Sequence, residues 1–87
     1  MEKRRIDTIQ NICKILHVLE DVIDYNGATL SEIQKHHNFR ETYMNGILQI
    51  MADGGIIECY WGAKKNDFIY RITLAGLQFM LKYEKVI

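Results

Sequence analysis

Residues 38–76 read NFRETYMNGILQIMADGGIIECYWGAKKNDFIYRITLAG, and the fold turns on them. Asn38 is a good helix N-cap, and Glu41 three residues on can close a capping box. Met44, Leu48 and Met51 then recur at the spacing of one buried helical stripe. Gly54-Gly55 stops the helix, because glycine takes the left-handed conformation that a C-terminal cap needs. Ile56 to Trp61 is β-branched and aromatic, the composition of a strand. Gly62 to Asn66 is a turn carrying Lys64 and Lys65, and Phe68 to Ile72 is the returning strand. Thr73 caps a last helix that begins at Leu74.

Upstream, a first helix is predicted from Ile6 or Asp7 to about Tyr25. Ile9, Ile12, Leu16, Leu19 and Ile23 form a heptad-like seam, and Ile15, Val18 and Val22 a second stripe beside it. A helix covering one side of a small monomer needs one stripe, so the second predicts a partner chain. Asn26-Gly27 ends this helix, and Ala28-Thr29-Leu30 reads as a short strand against the hairpin. Ser31 caps a short helix to about His36, with Ile33 as its core contact. The turn His37-Asn38 joins it to the third helix, which makes the two a helix-turn-helix. In the last helix Leu77, Met80 and Leu81 face the body or a partner, and Phe79 and Tyr83 lie on another side. The predicted homodimer interface is therefore Ile15, Val18, Val22, Phe79 and Tyr83.

Residues 1–87 are short enough for a single domain, and 48% hydrophobic with 25% charged is an ordinary globular balance. No apolar run is long enough to span a bilayer and no signal-peptide pattern follows Met1. The expectation is a cytoplasmic protein with no membrane partner, in a host's cytoplasm if the source is viral. Eleven cations balance eleven anions, which argues against indiscriminate nucleic-acid binding. The charges are nonetheless grouped. Glu2 to Arg5 holds three cations and one anion, Lys64-Lys65 stand together, and acids gather at Glu20, Asp21 and Asp24. Cys13 and Cys59 sit in apolar patterns and read as buried free thiols, with a bridge between them left open.

Catalytic and metal chemistry find no support. Cys13 and His17 have helical ligand spacing and His36-His37 are adjacent, but no zinc-finger spacing is present. Gly54-Gly55 lacks the Lys-Ser/Thr of a phosphate loop. Acids and histidines are scattered without a nucleophile, base and orienting group in register. No enzyme, metal or cofactor is expected.

The third helix is more informative. Opposite its apolar stripe it carries Glu41, Thr42, Asn45 and Gln49, flanked by Arg40 and Tyr43. Asn and Gln can bridge adenine edges in the major groove and Arg can bridge guanine. Gly46 costs a helix about 1 kcal/mol relative to alanine, so its presence points to close approach of another backbone or of DNA. Lys64, Lys65 and Asn66 at the hairpin tip, with Arg4 and Arg5 in a polar N-terminal arm, suit phosphate contacts. Trp61 beside the tip reads equally as a core lid, a dimer contact or a stacking platform.

Three stretches carry a family likeness: Leu30-Ser31-Glu32-Ile33; Met44, Leu48 and Met51 leading to Gly55-Ile56-Ile57; and Tyr70-Arg71-Ile72-Thr73-Leu74-Ala75-Gly76. In this order they resemble the winged-helix (winged helix-turn-helix) superfamily. The last run is similar to the strand-to-helix junction of PadR-type, MarR-type and small archaeal or archaeal-virus regulators. The resemblance implies an α+β fold, mostly α, of three helices, a β-hairpin wing and a C-terminal helix. It also implies a dimeric transcriptional regulator on double-stranded DNA, with the third helix in the major groove and the wing on the backbone. Arg40, Thr42, Asn45, Gln49, Lys64 and Lys65 stand at the matching positions. The long C-terminal helix that dimerises some archaeal members has no counterpart, so pairing is expected through the first helix instead. The alternative is a winged-helix protein-interaction module without DNA binding, suggested by the neutral charge and the surplus of apolar surface.

Overall fold

The computed structural model describes residues 3–22 and 27–83, with side chains from Asp7 onward. The elements are α1 (Lys3–Asp21), α2 (Leu30–His36), α3 (Glu41–Asp53), β1 (Ile57–Gly62), β2 (Asp67–Ile72) and α4 (Leu74–Tyr83). One core holds them together: Ile12, Ile15, Leu16, Val18 and Leu19 of α1, Ile33 of α2, Met44, Ile47, Leu48 and Met51 of α3, Ile57 and Ile72 of the hairpin, and Met80 of α4.

Helix α1 is the hub, packed against α2, β2 and α4. A helix covered on several sides needs a wide apolar arc, which is why it carries two stripes. Ile15 and Val18 are buried by the chain itself and Val22 packs half-buried against the same core. They do not form a surface for a partner, contrary to the expectation from the doubled stripe. Among the described side chains of α1, the exposed ones (Asp7, Lys14, His17, Glu20 and Asp21) are all polar. The described helix ends at Asp21; Ile23, Tyr25 and Asn26 lie outside the described residues. Gly27 takes the left-handed conformation, φ 97°. A Cβ there would come within 2.6 Å of the Tyr70 carbonyl, so glycine is needed where the chain passes the edge of β2.

Two helix starts differ from the predicted ones. Thr29, not Ser31, caps α2: its Oγ1 accepts from the Glu32 N–H at 3.2 Å, and Glu32 Oε1 accepts from the Thr29 N–H at 3.3 Å. That leaves only Ala28 to bridge Tyr70, with mutual N–H···O bonds of 2.9 and 2.8 Å, in place of a strand over Ala28–Leu30. Helix α3 begins at Glu41 with Arg40 as its N-cap and no side-chain cap. Asn38 lies too far upstream to cap it. Phe39 packs against the core and its carbonyl accepts from Gln34 Nε2 at 3.2 Å. The partly buried Phe39 ring and this hydrogen bond go with an extended turn at His37 and Arg40, so the helix starts past Asn38. Gly55, with φ 76°, ends the turn after α3 as the sequence implied.

The antiparallel hairpin pairs Ile57 with Ile72, Cys59 with Tyr70 and Trp61 with Phe68. Ile57, Ile69 and Ile72 are buried, while Glu58 to Trp61 and Ala63 to Phe68 are exposed. Cys59 is exposed rather than buried, while Cys13 is buried, and the two are not bridged. Thr73 caps α4 as expected. Its Oγ1 accepts from the Gly76 N–H at 3.1 Å and donates to the Gly55 carbonyl at 2.7 Å. Phe79 packs against the core and stacks on Tyr83, with ring centroids 4.5 Å apart. Phe79 therefore lies toward the body instead of facing a partner, and Tyr83 is half-buried beside it. The outward face of α4 carries Leu74 and Leu81, 72% and 68% exposed.

Two helical glycines should respond oppositely to alanine. A Cβ at Gly76 would overlap the Ile56 carbonyl, a backbone atom, whereas a Cβ at Gly46 meets nothing within 4 Å. Urea unfolding of Gly76→Ala is expected to show a loss of about 1–3 kcal/mol from overpacking. Gly46→Ala is expected to gain about 1 kcal/mol from helix propensity.

Candidate nucleic-acid interface

Burying Met44, Ile47, Leu48 and Met51 fixes the rotation of α3. Thr42, Asn45, Gly46, Gln49 and Asp53 are left on the exposed side. Gln49 Nε2 donates to Asp53 Oδ1 at 2.9 Å, which orients the carboxamide. Asp53 had drawn no attention in the sequence, although its i+4 spacing from Gln49 was visible. Arg40 is exposed at the head of the helix, where the first N–H groups have no side-chain cap. These groups and the helix dipole favour an anion at the start of α3, where Glu41 is the one acid of the first turn. His37, in the turn before α3, is held below its ordinary pKa by burial first, then by the charges of Lys14 of α1 and the neighbouring His36.

Tyr43 belongs to a different cluster from Asn45 and Gln49. Its hydroxyl accepts from Asn11 Nδ2 of α1 at 2.7 Å. Its ring packs on Phe39, 5.5 Å away, and Phe39 stacks on His37 at 5.9 Å. Tyr43 thus braces α3 against α1. Among the described residues nothing lies within 4 Å of where a Cβ on Gly46 would sit, which gives no support to close approach of another backbone of this chain. Beside it Ile50 is 62% exposed. Thr8 of α1 joins Thr42, Tyr43, Gly46, Ile47 and Ile50 around a shallow cleft of about 230 Å³. Ile50 lies off the Met44–Leu48–Met51 stripe, and that offset was the sequence signal for it.

The wing lysines part company. Lys64 is exposed at the tip. Lys65 folds back, with Nζ 2.7 Å from Glu32 Oε1 and 3.4 Å from the Gly27 carbonyl. It ties the wing to α2 and is not a free cation, a correction to its place among the phosphate contacts. The Lys65 hydrogen bond is also the main reason that the Glu32 carboxyl lies below its ordinary pKa; desolvation opposes it and the bonds from Thr29 assist. Asn66 adopts φ 52° and donates its N–H to the Ala63 carbonyl at 3.3 Å. Asparagine tolerates that left-handed conformation better than most residues, so Asn66 shapes the turn. Trp61 and Phe68 pack edge to face at 5.3 Å, each 54% exposed, which removes the core-lid reading of Trp61. Arg4 and Arg5 lie within α1 and not in an arm; their side chains are outside the described residues.

Among the described residues no group of three His, Cys, Asp or Glu could hold a metal ion. No helix among them is long and apolar enough to cross a membrane.

No family model and no curated protein matches this chain. Among solved structures, the crystal structure of the S. aureus MepR–DNA complex is similar, with a TM-score of 0.72 and 16% identity. The match covers 87% of this chain and 54% of that one, so the chain spans about half the length of the protein it resembles. Among the described residues, four helices and a two-stranded antiparallel hairpin in this order are a winged helix. The likeness bears out the winged-helix fold.

Glu32→Gln keeps a capping-box side chain but removes the charge opposite Lys65. Because the folded-state pKa of Glu32 is lowered, its contribution is complete above the ordinary glutamate range and is lost as pH falls through the folded value. Thermal melts across pH should therefore show wild type more stable than Glu32→Gln at neutral pH, the gap closing in acid. The gap should also shrink with added salt.

Proposed function

We propose that this chain is a double-stranded DNA-binding protein that regulates transcription, acting as a homodimer. One observation carries the reading: α3 buries its whole apolar stripe and turns Thr42, Asn45 and Gln49 to solvent, behind a start marked by Arg40 and uncapped N–H groups. Such a helix fits the major groove, where carboxamides can pair with adenine edges and the helix start and Arg40 can meet phosphate. The exposed Lys64 reaches the flanking backbone while Lys65 ties the hairpin to α2. The fold likeness to a protein solved with DNA supports this reading. With zero net charge, affinity rests on a few phosphate contacts, so binding is weak off target.

The dimer surface in this reading is the outer face of α4, through Leu74, Gln78 and Leu81, because the second stripe of α1 is already occupied. A two-fold pair would put half-sites about one helical turn apart. The same exposed leucines favour a second reading, a protein-interaction module without DNA.

Duplex binding measured across a salt series separates the two. The regulator is expected to weaken steeply as salt rises, and Lys64→Gln to reduce the log–log slope by about 0.9, one phosphate contact. Absence of duplex binding at low salt would leave the interaction module standing. Sedimentation should give a dimer for wild type and a monomer for Leu74→Glu with Leu81→Glu, with the helix content of the wild type retained in circular dichroism. A monomeric wild type would contradict the pairing.

A further inference from the structure

Helix α3 presents distinct chemistries on adjoining flanks. At 3.6 residues per turn, Asn45 and Gln49 lie on one flank, Tyr43 and Ile50 on the other, and Thr42 and Gly46 between them. The apolar flank is open. Ile50 is 62% exposed, and the space over Gly46 is empty to at least 4 Å from where a Cβ would sit. With Ile47 beneath, Thr42, Gly46 and Ile50 form an apolar furrow within the cleft between α1 and α3. The furrow begins at the head of α3, where Arg40 is exposed and the first N–H groups have no side-chain cap, with Glu41 the acid of that turn. Arg40 and those N–H groups can meet a phosphate that flanks an occupant of the furrow.

In the major groove an A·T pair offers an acceptor, a donor, a second acceptor and the thymine 5-methyl group, and a G·C pair offers no methyl. A carboxamide flank beside an apolar furrow is complementary to the first edge. We infer that α3 selects A·T pairs, with the furrow of Thr42, Gly46 and Ile50 seating a thymine methyl group. This rests on the DNA-binding reading above and adds the base that is read. It also gives Gly46 a reason: without a side chain there, the methyl reaches the helix backbone.

The test is selection of a random-sequence duplex pool by the full chain. The best duplex is then remade with each thymine in turn replaced by deoxyuridine, which deletes the methyl and leaves the hydrogen-bonding edge intact. The expected sites carry A·T pairs within each half-site, and one thymine per half-site loses roughly fourfold in affinity on replacement, the worth of one buried methyl group. Ile50→Ser, at an exposed position, should fold normally and bind the thymine and uracil duplexes equally. Unchanged affinity at every replaced thymine, or a thymine preference that survives in Ile50→Ser, would overturn the inference while DNA binding stands. Failure to enrich any duplex would overturn it together with the function on which it rests.

Discussion

An α-helix beside a small core can bury one side, and in this chain the choice of side on α3 governs the rest. Met44, Ile47, Leu48 and Met51 are all buried. Each such side chain is worth about 1.5–3 kcal/mol against exposure. Turning the helix by one residue would lift Met44 out and push Asn45 in, adding the cost of an unpaired buried amide, about 1–3 kcal/mol. The direction in which Thr42, Asn45 and Gln49 face is therefore set by packing, and the candidate interface is the complement of the core.

The wing is placed by the same economy of contacts. Ile57 and Ile72 anchor the base of the hairpin in the core, and the Ala28–Tyr70 bridge catches its outer edge. The Lys65–Glu32 pair then ties the tip to α2. Both side chains are more than a third exposed, and ion pairs of that kind contribute little to overall stability. Their effect is on geometry: the pair adds a contact between wing and α2, while the angle of the hairpin is set mainly by its buried base and the backbone bridge.

Much of this was legible locally. The stripe of α3, the Gly54-Gly55 stop, the strands around Lys64-Lys65 and the Thr73 cap are patterns within one or two turns of chain, and the structure has each of them. The misreadings share a cause: contacts between residues far apart in sequence. The packing of Phe39 against the core goes with a start of α3 past Asn38. Cover from three other elements absorbed the Ile15–Val18 stripe into the core. Lys65 found Glu32 thirty-three residues away, and Tyr43 found Asn11 at thirty-two. Ile50 is the reverse case: its angle on the helix was readable, but an isoleucine in an apolar-rich helix passes as core until the packing leaves it outside.

The claim on which the functional account depends is that the polar side of α3 and the wing tip meet the same ligand. Amide chemical shifts of the isotopically labelled chain, followed while a selected duplex is titrated in, test it most directly. The account predicts that the largest changes cluster at Arg40 to Ile50 and Gly62 to Asn66 within one binding isotherm. Changes confined to Leu74–Leu81, with α3 and the wing unmoved, would contradict it.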